Sequence, residues 1–233
     1  MGAGITVTAR AQSSQSAAPA LAEMDPQPLP FVHGVASGDP LPDSVVLWTR
    51  VTPDESAAPG SGLGAPTRLR WEVATDQDFG SVTQSGEVES SAESDHTIHV
   101  DVRGLAAGTV YFYRFTVTDG PHAGAVSPLG RTTTAPPADA PLNRQRWAVA
   151  SCANWEAGFF SAYADMAERG WAGELDLTVF LGDYIYEYAQ YEYSGYGPVR
   201  LHAPAHEIIT LEDYRTRYGR YRTDPALQNA HAA

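Results

Sequence analysis

Three residues that can bind a metal ion follow short apolar segments in the second half of the chain. Cys152 follows the apolar run 146–151, and Asp183 and Tyr186 follow a second run at 176–181. A thiolate, a carboxylate and a phenolate are anionic when they bind, so their convergence needs a highly charged cation. Ferric iron fits this description better than magnesium, which avoids sulfur.

The two apolar runs are predicted to be parallel strands of one sheet. Residues 159–169, between them, carry apolar side chains at helical spacing, and Gly170 is expected to cap that helix. Strand, helix and strand of this length form a βαβ unit. Carboxyl ends of parallel strands share the sheet edge where ligands bind. Cys152 and Asp183 are therefore expected to converge, with Gly182 permitting a sharp turn.

Each residue also has a structural interpretation. A single cysteine at a strand end is commonly a small buried apolar residue. Asp183 could serve as a turn or cap residue, and Tyr184, Tyr186 and Tyr188 could form an aromatic wall. Cys152 as a nucleophile is a further alternative, but the predicted helix begins five or more residues later, too far to activate the thiol.

Residues 31–137 predict a β-sandwich. Four segments alternate apolar and polar side chains with a period of two, at 44–51, 68–75, 97–103 and 110–118. Such alternation, with turn residues between the segments, is typical of half-buried antiparallel strands. Within this region Gly104–Tyr111 resembles the fibronectin type III pattern around its tyrosine corner. His96 and His99 are expected on opposite faces of the sheet surface, where they cannot share a metal.

The last thirty or so residues predict two helices. Thr210 is the expected N-cap of the first, and Asp224–Pro225 the expected start of the second. His202 and His206 are four residues apart, but Pro204 lies between them, so a loop is expected rather than a helical metal pair.

Composition excludes several classes of protein. The chain has 233 residues, 43% of them hydrophobic, which suffices for one large or two small domains. The net charge of −13 and the absence of lysine disfavour binding to nucleic acid or to anionic lipid. No apolar run approaches the ~20 residues of a membrane helix. We expect a monomer without a nucleic-acid-binding surface or a membrane span.

Residues 1–30 are predicted to be a signal-peptide remnant and a flexible linker. Ala9–Ala11 forms an A-x-A-like cleavage site, although a basic region and a full apolar region are missing. An ordinary N-terminal tail is the alternative. Residues 12–30, rich in Ser, Ala, Gln and Pro, suit a linker.

Four sequence blocks together resemble the PhoD-type alkaline phosphatase/phosphodiesterase family. They are HGVASGDP at 33–40, VLWTR at 46–50, ASCAN at 150–154 and LGDYIYEY at 181–188. The resemblance runs from about residue 31 to the end of the chain. It implies a fibronectin III-like β-sandwich, at 31–137, followed by the start of an α/β calcineurin-like metallophosphoesterase domain, at 138–233.

The resemblance also implies a site that holds ferric iron and calcium. Carried over by position, Cys152 would be an iron ligand, Asp183 the catalytic carboxylate that bridges iron and calcium, and Tyr186 an iron-bound phenolate. The implied function is a metal-dependent phosphoric-ester hydrolase that attacks phosphate mono- or diesters with metal-activated water. A secreted β-sandwich binding module without catalysis is the alternative.

Two further expectations come from the resemblance. It implies export to the extracellular space, cell wall or periplasm by the twin-arginine route. The family continues with an Asp-Asp-His-Glu-like block and later Asp and His ligands, whereas this sequence stops at His231–Ala233. We therefore expect an N-terminal fragment with part of the metal set and weak or absent turnover.

Overall fold

The computed structural model describes residues 28–233, so the predicted signal-peptide remnant lies outside the described residues. The first part of this range forms seven strands in two antiparallel sheets, ordered β1-β2-β5 and β4-β3-β6-β7. The strands are β1 Val35–Gly38, β2 Ser44–Arg50, β3 Arg68–Ala74, β4 Val82–Glu89, β5 Thr97–Arg103, β6 Val110–Val117 and β7 Gly130–Thr133.

The core of this region lies between the two sheets. Val45 and Leu47 of β2 are buried together with Leu69 and Val73 of β3, which belongs to the other sheet. Every second side chain points inward, as the alternation predicts. Packing of both inner faces in one cluster confirms the predicted β-sandwich.

Tyr111 occupies the predicted tyrosine corner. Its ring is buried in β6, and its hydroxyl accepts a hydrogen bond from the backbone N–H of Ala106 at 2.8 Å. This contact fastens the turn before β6 to the strand itself.

The expectation that His96 lies on the sheet surface is wrong. His96 precedes β5 in a left-handed conformation, with φ of 55°, and its side chain is buried. Its Nε2 lies 2.9 Å from the carbonyl oxygen of Leu63, and its Nδ1 lies 3.1 Å from the hydroxyl of Ser90. The left-handed turn breaks the strand alternation on which the expectation rested. His99, within β5, is exposed as expected.

A βαβ unit follows the sandwich. It consists of β8 Trp147–Ala150, α1 Ser161–Trp171 and β9 Leu177–Phe180. The two strands are parallel, with Trp147 opposite Leu177 and Ala150 opposite Phe180. This confirms the predicted parallel pair.

Helix α1 ends later than predicted. Gly170 lies inside the helix, and Ala172 is the C-cap, followed by Gly173 with φ of 69°. Gly170 instead permits close packing, since a Cβ there would lie 2.7 Å from the Cβ of Ala233. The glycine was therefore correctly associated with this end of the helix but with the wrong role.

Two further helices are α2 Leu211–Arg222 and α3 Pro225–Ala232. Thr210 and Asp213 form a capping box at the start of α2, and the Asp224 carboxylate accepts a hydrogen bond from the N–H of Leu227 in α3. Both predicted helix starts are confirmed. His202 and His206 lie in the preceding loop. None of the helices in residues 28–233 is long and apolar enough to cross a membrane.

The C-terminal helices pack against the sandwich. Helix α3 contacts β1 and β7. Nη2 of Arg222 donates to the carbonyl oxygen of His33 at 3.1 Å, and Nε2 of Gln228 donates to that of Val32 at 2.9 Å. These contacts join the two parts along a shared surface. The predicted division between residues 137 and 138 stays a prediction.

Candidate metal centre

Cys152 and Asp183 lie side by side just beyond the carboxyl ends of β8 and β9. The parallel pairing continues past both strands, as the N–H of Cys152 donates to the carbonyl of Gly182 and that of Ala153 to the carbonyl of Asp183. Sγ of Cys152 is 3.5 Å from Oδ2 of Asp183. The structure thus brings together the two side chains that the parallel-strand argument predicts to converge.

The backbone turns sharply at both residues. Cys152 and Asp183 adopt left-handed conformations with φ of 58° and 47°, and Gly182 has φ of 119°. A left-handed conformation costs a residue with a side chain roughly 1–3 kcal/mol, and such strain is concentrated at functional sites. The sequence indicated the turn at Gly182 but gave no sign of strain at Cys152.

Tyr186 completes the cluster. Its hydroxyl donates to Oδ2 of Asp183 at 3.2 Å, so thiol and phenol converge on one carboxylate oxygen. Desolvation, the hydrogen bond with Cys152 and the negative charge of Asp183 together raise the pKa of Tyr186. The phenol is therefore protonated at neutral pH and donates to the carboxylate.

The donor set of this cluster fits a ferric ion. Within residues 28–233, the side chains that hydrogen-bond to the Asp183 carboxylate are a thiol and a phenol, neither of them a cation. A multivalent cation would replace two protons and compensate three negative charges at one point. Cys152 is exposed, so it is not the buried apolar residue of the structural alternative. The described part of the chain holds no cluster of three or more His, Cys, Asp or Glu side chains suited to a metal ion.

Aromatic rings surround one side of the cluster. The ring centroid of Tyr186 lies 6.2 Å from that of Tyr188 and 5.0 Å from that of Tyr193. Asn154 connects this wall to the cysteine loop, because its Nδ2 donates to the carbonyl of Tyr193 at 2.6 Å. Tyr186 therefore belongs to an aromatic wall and also contacts Asp183. Tyr184 points elsewhere, with its hydroxyl 2.8 Å from Nε2 of His231.

The burial of three charged or titratable residues near this site was not predicted. Glu156 and His202 are buried as a pair, with Oε1 and Nε2 3.5 Å apart. Burial, followed by the charge of Arg217, lowers the pKa of His202. Arg217 itself is fully buried in α2. The proximity of Glu156 to Cys152 in the sequence was the only available hint, since the other two come from distant segments.

Comparison with known proteins identifies the family to which this chain belongs. Residues 14–136 match the family described as the N-terminal domain of PhoD-like phosphatase, and residues 147–233 match the family described as PhoD-like phosphatase. The chain belongs to the PhoD-like phosphatase family.

Two relatives extend this result. The chain is 45% identical over 208 residues to alkaline phosphatase D of Bacillus subtilis (strain 168), which covers 88% of this chain and 33% of the relative. It is also similar to a solved structure of PhoD, with a TM-score of 0.78 and 45% identity over 88% of this chain and 37% of that one. The chain thus spans about a third of the length of the curated relative that it matches.

Proposed function

We propose that this chain provides the β-sandwich and the first part of the metal site of a phosphoric-ester hydrolase of the alkaline phosphatase/phosphodiesterase type. The observation that carries the proposal is the convergence of Cys152 and Tyr186 on one carboxylate oxygen of Asp183. Membership of the PhoD-like phosphatase family supports a phosphate ester as substrate. The βαβ unit would then be the start of a calcineurin-like metallophosphoesterase domain.

The three side chains would have separate roles in this site. Cys152 and Tyr186 would hold ferric iron, and Asp183 would place iron and calcium at a fixed separation. Such ions, when bound, polarise phosphoryl oxygens and supply a nucleophile from water near neutral pH. Tyr186 must lose its proton to bind iron. Its hydrogen bond with Asp183 is exposed to solvent, so that proton would pass to water, and Asp183 would remain free to bind the metals.

The other two functions are less well supported. A binding module made of the sandwich alone does not account for the family match over residues 147–233. A thiol enzyme is disfavoured because Cys152 donates to a carboxylate, whereas nucleophilic thiols lie beside cations or helix N-termini. Helix α1 begins only at Ser161.

Metal analysis of the purified chain tests the proposal. Iron and calcium are quantified after ferric loading, and turnover of p-nitrophenyl phosphate and bis-p-nitrophenyl phosphate is recorded alongside. We expect bound iron in the parent and little in Cys152→Ser or Asp183→Asn. Asp165→Asn is the matched control, because Asp165 forms an exposed ion pair with Arg169 on α1. Iron content equal in all four proteins would contradict the proposed site.

A second readout concerns Tyr186. Iron bound to a phenolate absorbs visible light by charge transfer from the ring. We expect this band in the loaded chain and its loss in Tyr186→Phe. Tyr196→Phe, which alters a fully exposed tyrosine, should retain it. A band that survives Tyr186→Phe would remove Tyr186 from the ligand set.

The proposal also includes the predicted domain limits and the cellular location. We propose the sandwich at 31–137 and the partial hydrolase domain at 138–233.

We propose export by the twin-arginine route, for which residues 1–30 would supply the end of the signal and a linker. The test fuses a complete twin-arginine basic region and apolar region ahead of residue 1. Cleavage after Ala11 in an exporting host, seen by mass spectrometry of the secreted protein, would then support this location.

A further inference from the structure

One buried arginine organises the segment that carries Tyr186. Arg217 lies in α2 with none of its side chain exposed. Its hydrogen bonds within the described residues end on backbone carbonyl oxygens. Nε donates to Ala203 at 2.9 Å, Nη1 donates to Tyr186, and Nη2 lies 3.2, 3.1 and 3.4 Å from the oxygens of Tyr188, Pro204 and His206.

These carbonyls belong to two segments that lie against each other. The N–H of Gln190 donates to the carbonyl of Ala205, and the N–H of Ile208 donates to that of Glu187, both at 2.9 Å. Arg217 therefore binds on both sides of this junction. A guanidinium has five N–H donors in a rigid planar fork, so it can hold several carbonyls in one geometry, which a lysine ammonium cannot reproduce.

Burial of the Arg217 charge is unfavourable unless polar partners compensate the lost hydration. Several backbone carbonyl dipoles provide that compensation here. Of these carbonyls, that of Tyr186 belongs to the residue whose phenol donates to Asp183. Fixing this carbonyl fixes the Cα from which the phenol reaches the carboxylate.

We infer that Arg217 is the positioning residue that holds the Tyr186 segment so that its phenol meets Asp183. Its importance for metal binding depends on the proposed function, but the positioning itself does not. Arg217 touches neither Cys152 nor the carboxylate of Asp183 through any hydrogen bond among the described residues. It acts through the backbone of Tyr186.

Iron binding by Arg217→Lys tests this role. Loss of a residue that orients a metal ligand typically weakens metal affinity ~10–100-fold. We expect a loss of this size, with a weaker phenolate band per bound iron. Arg50→Lys is the control, because Arg50 is also buried and holds several groups, but inside the sandwich. In a Tyr186→Phe background, Arg217→Lys should cause no further loss of affinity.

Three results would overturn the inference. They are unchanged affinity and band in Arg217→Lys, an equal loss in Arg50→Lys, and a full additional loss in the Tyr186→Phe background. The last two would mean that the effect is a general loss of stability rather than an action through Tyr186.

Amide hydrogen exchange tests the role of Arg217 in the metal-free chain. In the parent chain the N–H groups of Gln190 and Ile208 should exchange as slowly as those of α2, since Arg217 joins them to that helix. In Arg217→Lys the N–H groups of Gln190 and Ile208 should exchange faster, whereas those of α2 should not. If the parent binds no iron, the proposed function fails, and the exchange result still decides on Arg217. Loop-like exchange of Gln190 and Ile208 in the parent would overturn the inference, even if the variant does not fold.

Discussion

The carboxylate of Asp183 is the centre of the candidate site, because both other donors meet it at one oxygen. This convergence could be predicted from sequence. Cys152 and Asp183 each follow an apolar run, and the helix predicted between the two runs indicates that they form parallel strands. Tyr186 was foreseeable because it lies three residues further on. The ligand roles of all three stay predictions.

Arg217 could not have been predicted in the same way. Its carbonyl partners lie 11 to 31 residues before it, in segments without regular structure. No periodicity connects such positions, and an arginine in a helix rich in Tyr and Arg predicts an exposed face. The burial of Arg217, with its charge compensated by backbone carbonyls, becomes apparent only from the positions of the folded loops.

His33 gives a residue-scale prediction about pH. Burial, then the charges of Arg50 and Arg222, lowers its pKa from 6.5 to about 3. Between pH 6.5 and about pH 3, His33 is protonated in the unfolded chain but neutral in the folded chain. The free energy of unfolding therefore falls as the pH falls through this range. One such group contributes about 1.4 kcal/mol per pH unit.

Urea unfolding of the parent, His33→Gln and His99→Gln at pH 6 and pH 4 measures this effect. We expect His33→Gln to lose less stability between the two pH values than the parent. His99→Gln should behave like the parent, because His99 is exposed on β5. Equal slopes in the parent and His33→Gln would contradict a buried neutral His33.

Helix α2 connects the candidate site to the sandwich. Arg217 faces the Tyr186 segment, while Thr216 donates to the carbonyl of Pro59 at 2.9 Å. Gly219, further along the helix, is buried against the same proline. The start of α2 was predictable from Thr210, because capping is a local signal. Its docking was not, because close approach depends on a distant loop.

Gly219→Ala is therefore expected to destabilise the chain. A Cβ at this position would lie 2.6 Å from the Cβ of Pro59. Overpacking costs about 1–3 kcal/mol, whereas replacing glycine by alanine in a helix gains at most ~1 kcal/mol. We expect a net loss of about 1 kcal/mol in urea unfolding.

Pro59→Gly provides the control for this prediction. In that background the added methyl group has room, so Gly219→Ala should become neutral or stabilising. Destabilisation of the same size in both backgrounds would show that the contact with Pro59 is not its cause.

At the scale of the whole molecule, the sandwich and the C-terminal part share a packed surface. The sequence predicted two parts, a sandwich at 31–137 and the start of a second domain at 138–233. The structure adds α3 against β1 and β7, and Ala232 within the sandwich core. Such docking joins surfaces far apart in sequence, so no local pattern could have revealed it.

This shared surface predicts cooperative unfolding. The amides of β2 and β5 in the sandwich and those of α2 and α3 should lose protection from exchange at the same urea concentration. Pulse-labelled hydrogen exchange across a urea series measures this directly. Loss of protection in α2 and α3 well before the sandwich would show that the two parts are only loosely joined.

X-ray absorption at the iron edge tests the central claim most directly, because it identifies the atoms bound to the metal. For the chain loaded with ferric iron, we predict one sulfur neighbour in the first coordination shell. Whatever iron Cys152→Ser still binds should lack that neighbour. A first shell of oxygen and nitrogen only, or a spectrum unaltered by Cys152→Ser, would contradict a metal centre built on Cys152, Asp183 and Tyr186.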